Sequence, residues 1–150
     1  TLAPGVGDPE NFKLNDCSTQ RNLSSLGRED AKSVGDWLKR REIKVARVES
    51  SRWCRAKETA QLLGIGRVRL NSNLDSLFES ADPAKAIQTV RVKKQIVDWR
   101  NKSGLLVLVG HFVNINAVTG VGVGSGEGVL VKADSKGKIN VVGLTPKLGR

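Results

Sequence analysis

The apolar positions of this chain fall into two kinds of segment that alternate along it: short β-branched runs and longer stripes at helical spacing. Val45 to Glu49 and Leu105 to Val109 are runs of the first kind. The second run, Leu-Leu-Val-Leu-Val, is unbroken, as expected for a strand inside a parallel sheet covered on both faces. Ala31, Val34 and Leu38 share one helical face, which predicts a helix with Ser24 as N-cap. It ends in Lys39-Arg40-Arg41, where positive charge suits a helix C-terminus. A second helix is predicted from Trp53 to Leu63, stopped by Gly64 and Gly66. Asp82-Pro83 supplies an N-cap and a first helical proline for a third, which Ile87, Val90 and Val97 continue to about Trp99. His111 to Val118 forms the next.

Val129 to Lys132 and Ile139 to Val142 flank Asp134-Ser135-Lys136-Gly137, a hairpin with turn chemistry. Residues 1–22 are rich in Gly, Pro, Asn and Asp without sustained periodicity and read as a long functional loop. Residues 64–82 read as irregular, with 70–75 looping over the site. Alternating strands and helices predict an α/β fold of three layers, α/β/α, around a mostly parallel sheet.

Size and composition narrow the possibilities. At 150 residues the chain suits one domain, spanning 1–150, large enough for a real core. No apolar run approaches the roughly 20 residues of a membrane span. Twenty-five Lys and Arg against 15 Asp and Glu give a formal net charge of +10, a field that gathers anions. The basic residues are spread along the chain, and aromatics make up only 4% of it, so a base-stacking platform for nucleic acid is disfavoured. The two cysteines, Cys17 and Cys54, form no CxxC or Cys-His metal pattern, and no cluster of metal ligands is visible. The Gly-rich run from Gly120 to Gly126 lacks the Lys-Ser/Thr of a nucleotide loop and reads as a connection.

Two segments carry the candidate chemistry. Ser51-Arg52-Trp53-Cys54-Arg55 and Val107-Leu108-Val109-Gly110-His111 each end a predicted strand in small residues and then present a side chain at the mouth of a helix. Open α/β sheets bind ligands at that place, and helix N-termini favour anions. Guanidinium grips phosphate through a bidentate fork, which makes Arg55 the first candidate and the lone His111 the second.

The run S-S-x-W-C-R-A-x-E-T-A with the later V-x-V-G-H, together with Ala3-Pro4-Gly5-Val6-Gly7-Asp8-Pro9 and Asp16-Cys17-Ser18-Thr19-Gln20-Arg21-Asn22-Leu23-Ser24, resembles the histidine phosphatase superfamily, in a bacterial branch. The superfamily is phosphoglycerate mutase-like in fold. The resemblance implies phosphoryl transfer through a phosphohistidine, independent of any metal or cofactor, on a phosphorylated small molecule or a phosphoprotein. It implies that Arg55 and His111 are catalytic and bind phosphate or sulfate, that Gln20, Arg21 and Asn22 close on the phosphate from the other side, and that the general acid is Asp75, is Glu79, or is missing, as in some phosphohistidine phosphatases that act on good leaving groups.

It also implies that both cysteines line the phosphate pocket, so that a Cys17–Cys54 disulfide is possible; a bridge would favour a periplasm over the cytoplasm. The family's defining Arg-His pair, whose histidine is the nucleophile, would fall just upstream of Thr1 on a strand in the middle of the sheet. The chain shows a single histidine, His111, so as it stands it is expected to lack turnover. Two alternatives stay open. One is an inactive phosphate-ligand binding module, separable by reading the residues encoded before Thr1. The other is a basic nucleic-acid-associated protein, whose binding would weaken steeply with salt.

Overall fold

A computed structural model describes residues 1–146. Ser24 caps helix α1 (Ser25–Arg40) through its hydroxyl, which accepts from the Gly27 N–H at 3.0 Å. Strand β1 (Val45–Ser50) leads through Ser51 into α2 (Cys54–Leu62). Strand β2 (Val68–Leu70), helix α3 (Ile87–Trp99), strand β3 (Leu105–Val109) and helix α4 (Phe112–Thr119) follow, and the hairpin β4 (Val129–Ala133) and β5 (Ile139–Leu144) comes last. The fold is mixed α/β, with a parallel sheet in the order β2-β1-β3 and an antiparallel pair β4-β5.

Strand β1 lies between its two neighbours, and its side chains alternate as a strand's must. Arg47 and Glu49 face α3: Gln95 donates to Glu49 at 2.8 Å, and the Arg47 guanidinium lies 5.1 Å from the Trp99 ring centre. Val48, on the other face, is almost fully buried. Helix α2 packs across the parallel strands, and α1 packs against α2. That last contact is close: a Cβ on Gly35 of α1 would lie 1.9 Å from the Leu63 carbonyl oxygen, so no larger residue fits. Among the described residues β3 pairs on one edge only, with β1, and all five of its residues are merely half-buried.

Two features differ from the expectations above. Val68–Leu70 is a third parallel strand rather than irregular chain, paired with Val48–Ser50. Three residues interleaved with Arg67 and Arg69 are too short and too polar to announce a strand; the ladder to β1 makes it one. Helix α3 begins at Ile87, not at Pro83. Asp82 does accept from Lys85, but Ala86 is extended (φ −55°, ψ 139°), so that turn ends before the helix begins. The buried Thr89 hydroxyl donates to the Pro83 carbonyl at 2.7 Å and ties the turn to the helix. No helix among the described residues is long and apolar enough to cross a membrane.

Candidate phosphoryl-transfer site

The parallel register aligns Ser50 of β1 with Val109 of β3, so the residues that follow both strands emerge side by side. Trp53 and His111 occupy the N-cap positions of α2 and α4, and neither side chain caps its own helix. Arg55 and His111 converge there, with Arg55 Nη2 3.5 Å from His111 Nδ1. The Arg55 side chain is only 12% exposed.

His111 is held from behind. Its Nε2 lies 3.0 Å from Ser51 Oγ, and that hydroxyl is 3.3 Å from Asp75 Oδ1. Since a carboxylate can only accept, Ser51 donates to Asp75 and accepts from the ring, which places the imidazole proton on Nε2 and turns the Nδ1 lone pair toward Arg55. Burial lowers the His111 pKa to about 4; the charges of Arg55 and Arg21 push the same way, and Asp8 and Asp75 oppose them. The ring is neutral at pH 7.

Asp75 is otherwise fully engaged. Oδ1 also accepts from the Arg52 N–H at 3.0 Å, and Oδ2 accepts from Arg52 Nε and Nη2 at 2.8 and 2.5 Å. Asn114 of α4 anchors the same loop, donating to the Asp75 carbonyl at 2.8 Å and accepting from the Leu77 N–H at 3.1 Å. These contacts make Asp75 a buried orienting carboxylate behind the histidine. Glu79 is exposed and makes no hydrogen bond or ion pair among the described residues.

The N-terminal loop forms the opposite wall. Arg21 donates from Nη1 to the Ala3 carbonyl at 3.0 Å and also contacts the Gly5 carbonyl, while its buried Nε has no partner among the described residues. Burial and the nearby charge of Arg55 lower its pKa from the ordinary value. Gln20 and Asn22 are used inside the loop. Gln20 donates to the Lys13 and Leu14 carbonyls and accepts from the Cys54 N–H at 2.9 Å; Asn22 donates to the Cys17 and Gln20 carbonyls. Cys17 and Cys54 are joined as a disulfide with Cα atoms 5.7 Å apart, which fastens this loop to the first residue of α2, next to Arg55.

Three members of the site carry no sequence signal strong enough to single them out. Ser51 reads as a strand-end small residue, and Asn114 as an ordinary helical position. Asp8 lies in a loop without period, although the following Pro9 restricts it to extended backbone. The Asp8 carboxylate accepts from Arg55 Nη1 at 2.7 Å and from Trp53 Nε1 at 2.8 Å. Burial alone would raise its pKa; the hydrogen bonds from Arg55 and Trp53 and the charge of Arg55 outweigh that and hold it below the ordinary value.

Comparison with known proteins finds its matches in structure alone. No family model and no curated protein matches the chain. The protein histidine phosphatase SixA, solved with tungstate, superposes with a TM-score of 0.66 over 92% of this chain and 90% of its own, at 18% identity. The fold is shared with SixA. A candidate phosphohistidine phosphatase SixA from Nakamurella multipartitia matches with a TM-score of 0.52 and 20% identity, over 74% of this chain and 58% of its own. A protein described as mycobacterial hydrolase 2 gives 0.53 and 21%, over 76% and 64%.

Proposed function

We propose that the protein is a phosphatase of the histidine type, hydrolysing a phosphomonoester or a phosphoprotein through a phosphohistidine. One observation carries this reading: Arg55 and His111 meet at 3.5 Å beyond the C-terminal ends of adjacent parallel strands, on a fold shared with a histidine phosphatase that was solved with a tetrahedral oxyanion. In this reading Arg55 and Arg21 hold the non-bridging phosphoryl oxygens, and His111 hydrogen-bonds the transferring group. Transfer to an imidazole splits one hard displacement into two easier ones.

The nucleophile in this reading is a second histidine, in an Arg-His pair ahead of Thr1, on a strand that adds to the edge of β3 left unpaired among the described residues. The half-exposed apolar residues of β3 support that pairing, since an unpaired edge in the interior leaves backbone groups unsatisfied. The chain at Thr1 is held between α2 and the cap of α1: Leu2 O accepts from the Ser24 N–H at 3.0 Å, and the Thr1 and Thr59 hydroxyls are 2.6 Å apart. The Cys17–Cys54 bond supports an oxidising compartment such as a periplasm.

Rapid acid and alkaline quenching of the full-length protein turning over an aryl phosphate tests this. Turnover with an acid-labile, alkali-stable phosphoprotein is expected. Phosphate binding without turnover would make the molecule a phosphate-ligand binding module instead.

A further inference from the structure

The mechanism needs an acid for the leaving group, and the two carboxylates that the sequence offers for it are poorly placed. Asp75 is buried behind His111 with both oxygens engaged by Arg52 and Ser51, and Glu79 is exposed and makes no hydrogen bond or ion pair among the described residues. One further carboxylate touches the phosphate-binding guanidinium itself. We propose that Asp8 is the general acid of this site, exchanging its ion pair with Arg55 for a proton when a phosphorylated substrate binds, an assignment that rests on the phosphatase reading above.

The argument starts from what each Asp8 oxygen contacts. Oδ2 accepts from the indole N–H of Trp53 at 2.8 Å, and indole can only donate, so that oxygen stays an acceptor in either protonation state. Oδ1 accepts from Arg55 Nη1 at 2.7 Å. A phosphoryl dianion that takes the Arg55 fork removes the partner of Oδ1 and sets a second anion beside the carboxylate. Like charges in one partly buried site favour protonation of one of them. The proton then resides on Oδ1, the oxygen that faced Arg55 and now faces the phosphoryl group.

The charged and titratable groups around Asp8 agree with this sequence of events. Arg55 comes from α2 and Trp53 from its N-cap position, Arg21 from the loop before α1, and His111 from the N-cap position of α4. In the free protein the two arginines keep Asp8 ionised, and the neutral His111 does not compete as an acid. Once the dianion engages the arginines, Asp8 is the carboxylate among these groups that gains a proton, one it can lose again within one turnover. The step balances as follows. The P–O bond to the leaving group breaks, the P–N bond to the nucleophilic imidazole forms, and the Oδ1 proton moves to the departing oxygen, giving an alcohol. Water then attacks the phosphohistidine and passes a proton to the Asp8 carboxylate, and inorganic phosphate leaves.

An acid matters most when the leaving group is poor, and that dependence is the test. Full-length protein and its Asp8→Asn and Asp8→Glu variants are compared on 4-nitrophenyl phosphate, whose phenolate leaves unaided, and on phenyl phosphate and glycerol 2-phosphate, which need protonation. Asp8→Asn is expected to lose about 100-fold in kcat on the poor leaving groups and less than about 10-fold on 4-nitrophenyl phosphate. Asp8→Glu should restore part of the difference. Inorganic phosphate should bind Asp8→Asn more tightly than wild type, and the uptake of about one proton expected with wild type, read from buffers of different ionisation enthalpy, should vanish. Equal losses on all three esters would overturn the role of Asp8 and leave the phosphatase reading standing. Absence of turnover of any ester by the wild-type protein would overturn both.

Discussion

Arg55→Ala in the full-length protein is expected to lose about 10³-fold in kcat on an aryl phosphate, the upper range for removal of one preorganised donor to a developing anion. The loss should fall on kcat as well as on KM. Arg55 touches the phosphoryl oxygens in both ground and transition states, but its fork suits the planar, charge-spread transferring group better, and only such differential binding lowers kcat. Position supports a large effect, since the side chain is 12% exposed and lies against both Asp8 and His111. Truncation would leave Asp8 without its cationic partner and His111 without the charge that helps to keep it neutral. Arg55→Lys should recover a minor part, because it restores charge without the fork. Wild-type kinetics in the alanine variant would mean that the phosphate binds elsewhere.

Removal of the Cys17–Cys54 disulfide is expected to cost about 3–4 kcal/mol of stability, from the loop of 37 residues that it closes in the unfolded chain. Urea melts of the Cys17→Ser/Cys54→Ser protein against wild type measure this. The bond also fastens an exposed loop that carries Asp8 and Arg21 to the start of α2, where Gln20 adds a single hydrogen bond to Cys54. Phosphate affinity should therefore fall with stability in the double variant, and wild type in a reductant should behave like it. Unchanged stability and affinity would show that the Gln20–Cys54 hydrogen bond and the contacts of Asp8 with Arg55 and Trp53 hold the loop on their own.

The sequence announces the parts of this site that depend on strand ends. Leu105 to Val109 is an unbroken apolar run followed by Gly110-His111, and Val45 to Ser50 ends in serines before Arg55, so both side chains can be assigned to the C-terminal edge of a parallel sheet. Strand β2 escapes because Val68-Arg69-Leu70, three residues with an arginine in the middle, has no period of its own. The start of α3 misleads because Asp82-Pro83 has the chemistry of a helix start and is spent on an isolated turn. Polar partnerships are the least legible. Nothing local separates Asp8, which meets Arg55 across 47 residues, from Asp75, which meets Arg52 across 23. Gln20 and Asn22 stand beside Arg21 in the chain, yet their amides turn inward to carbonyls of their own loop. Such pairings are set by tertiary approach of loops and not by periodicity.

The most direct measurement of the central claim, that Arg55 and His111 form one phosphoryl pocket, is an NMR titration of the His111 imidazole with and without inorganic phosphate, assigned by comparison with His111→Gln. Free protein should titrate at about 4, the value set by burial and the Arg55 charge. Saturating phosphate should raise that pKa, since a dianion on Arg55 offsets its field and favours the imidazolium, and Arg55→Ala should abolish the phosphate dependence. A His111 that titrates near the ordinary 6.5 and does not respond to phosphate would contradict the account.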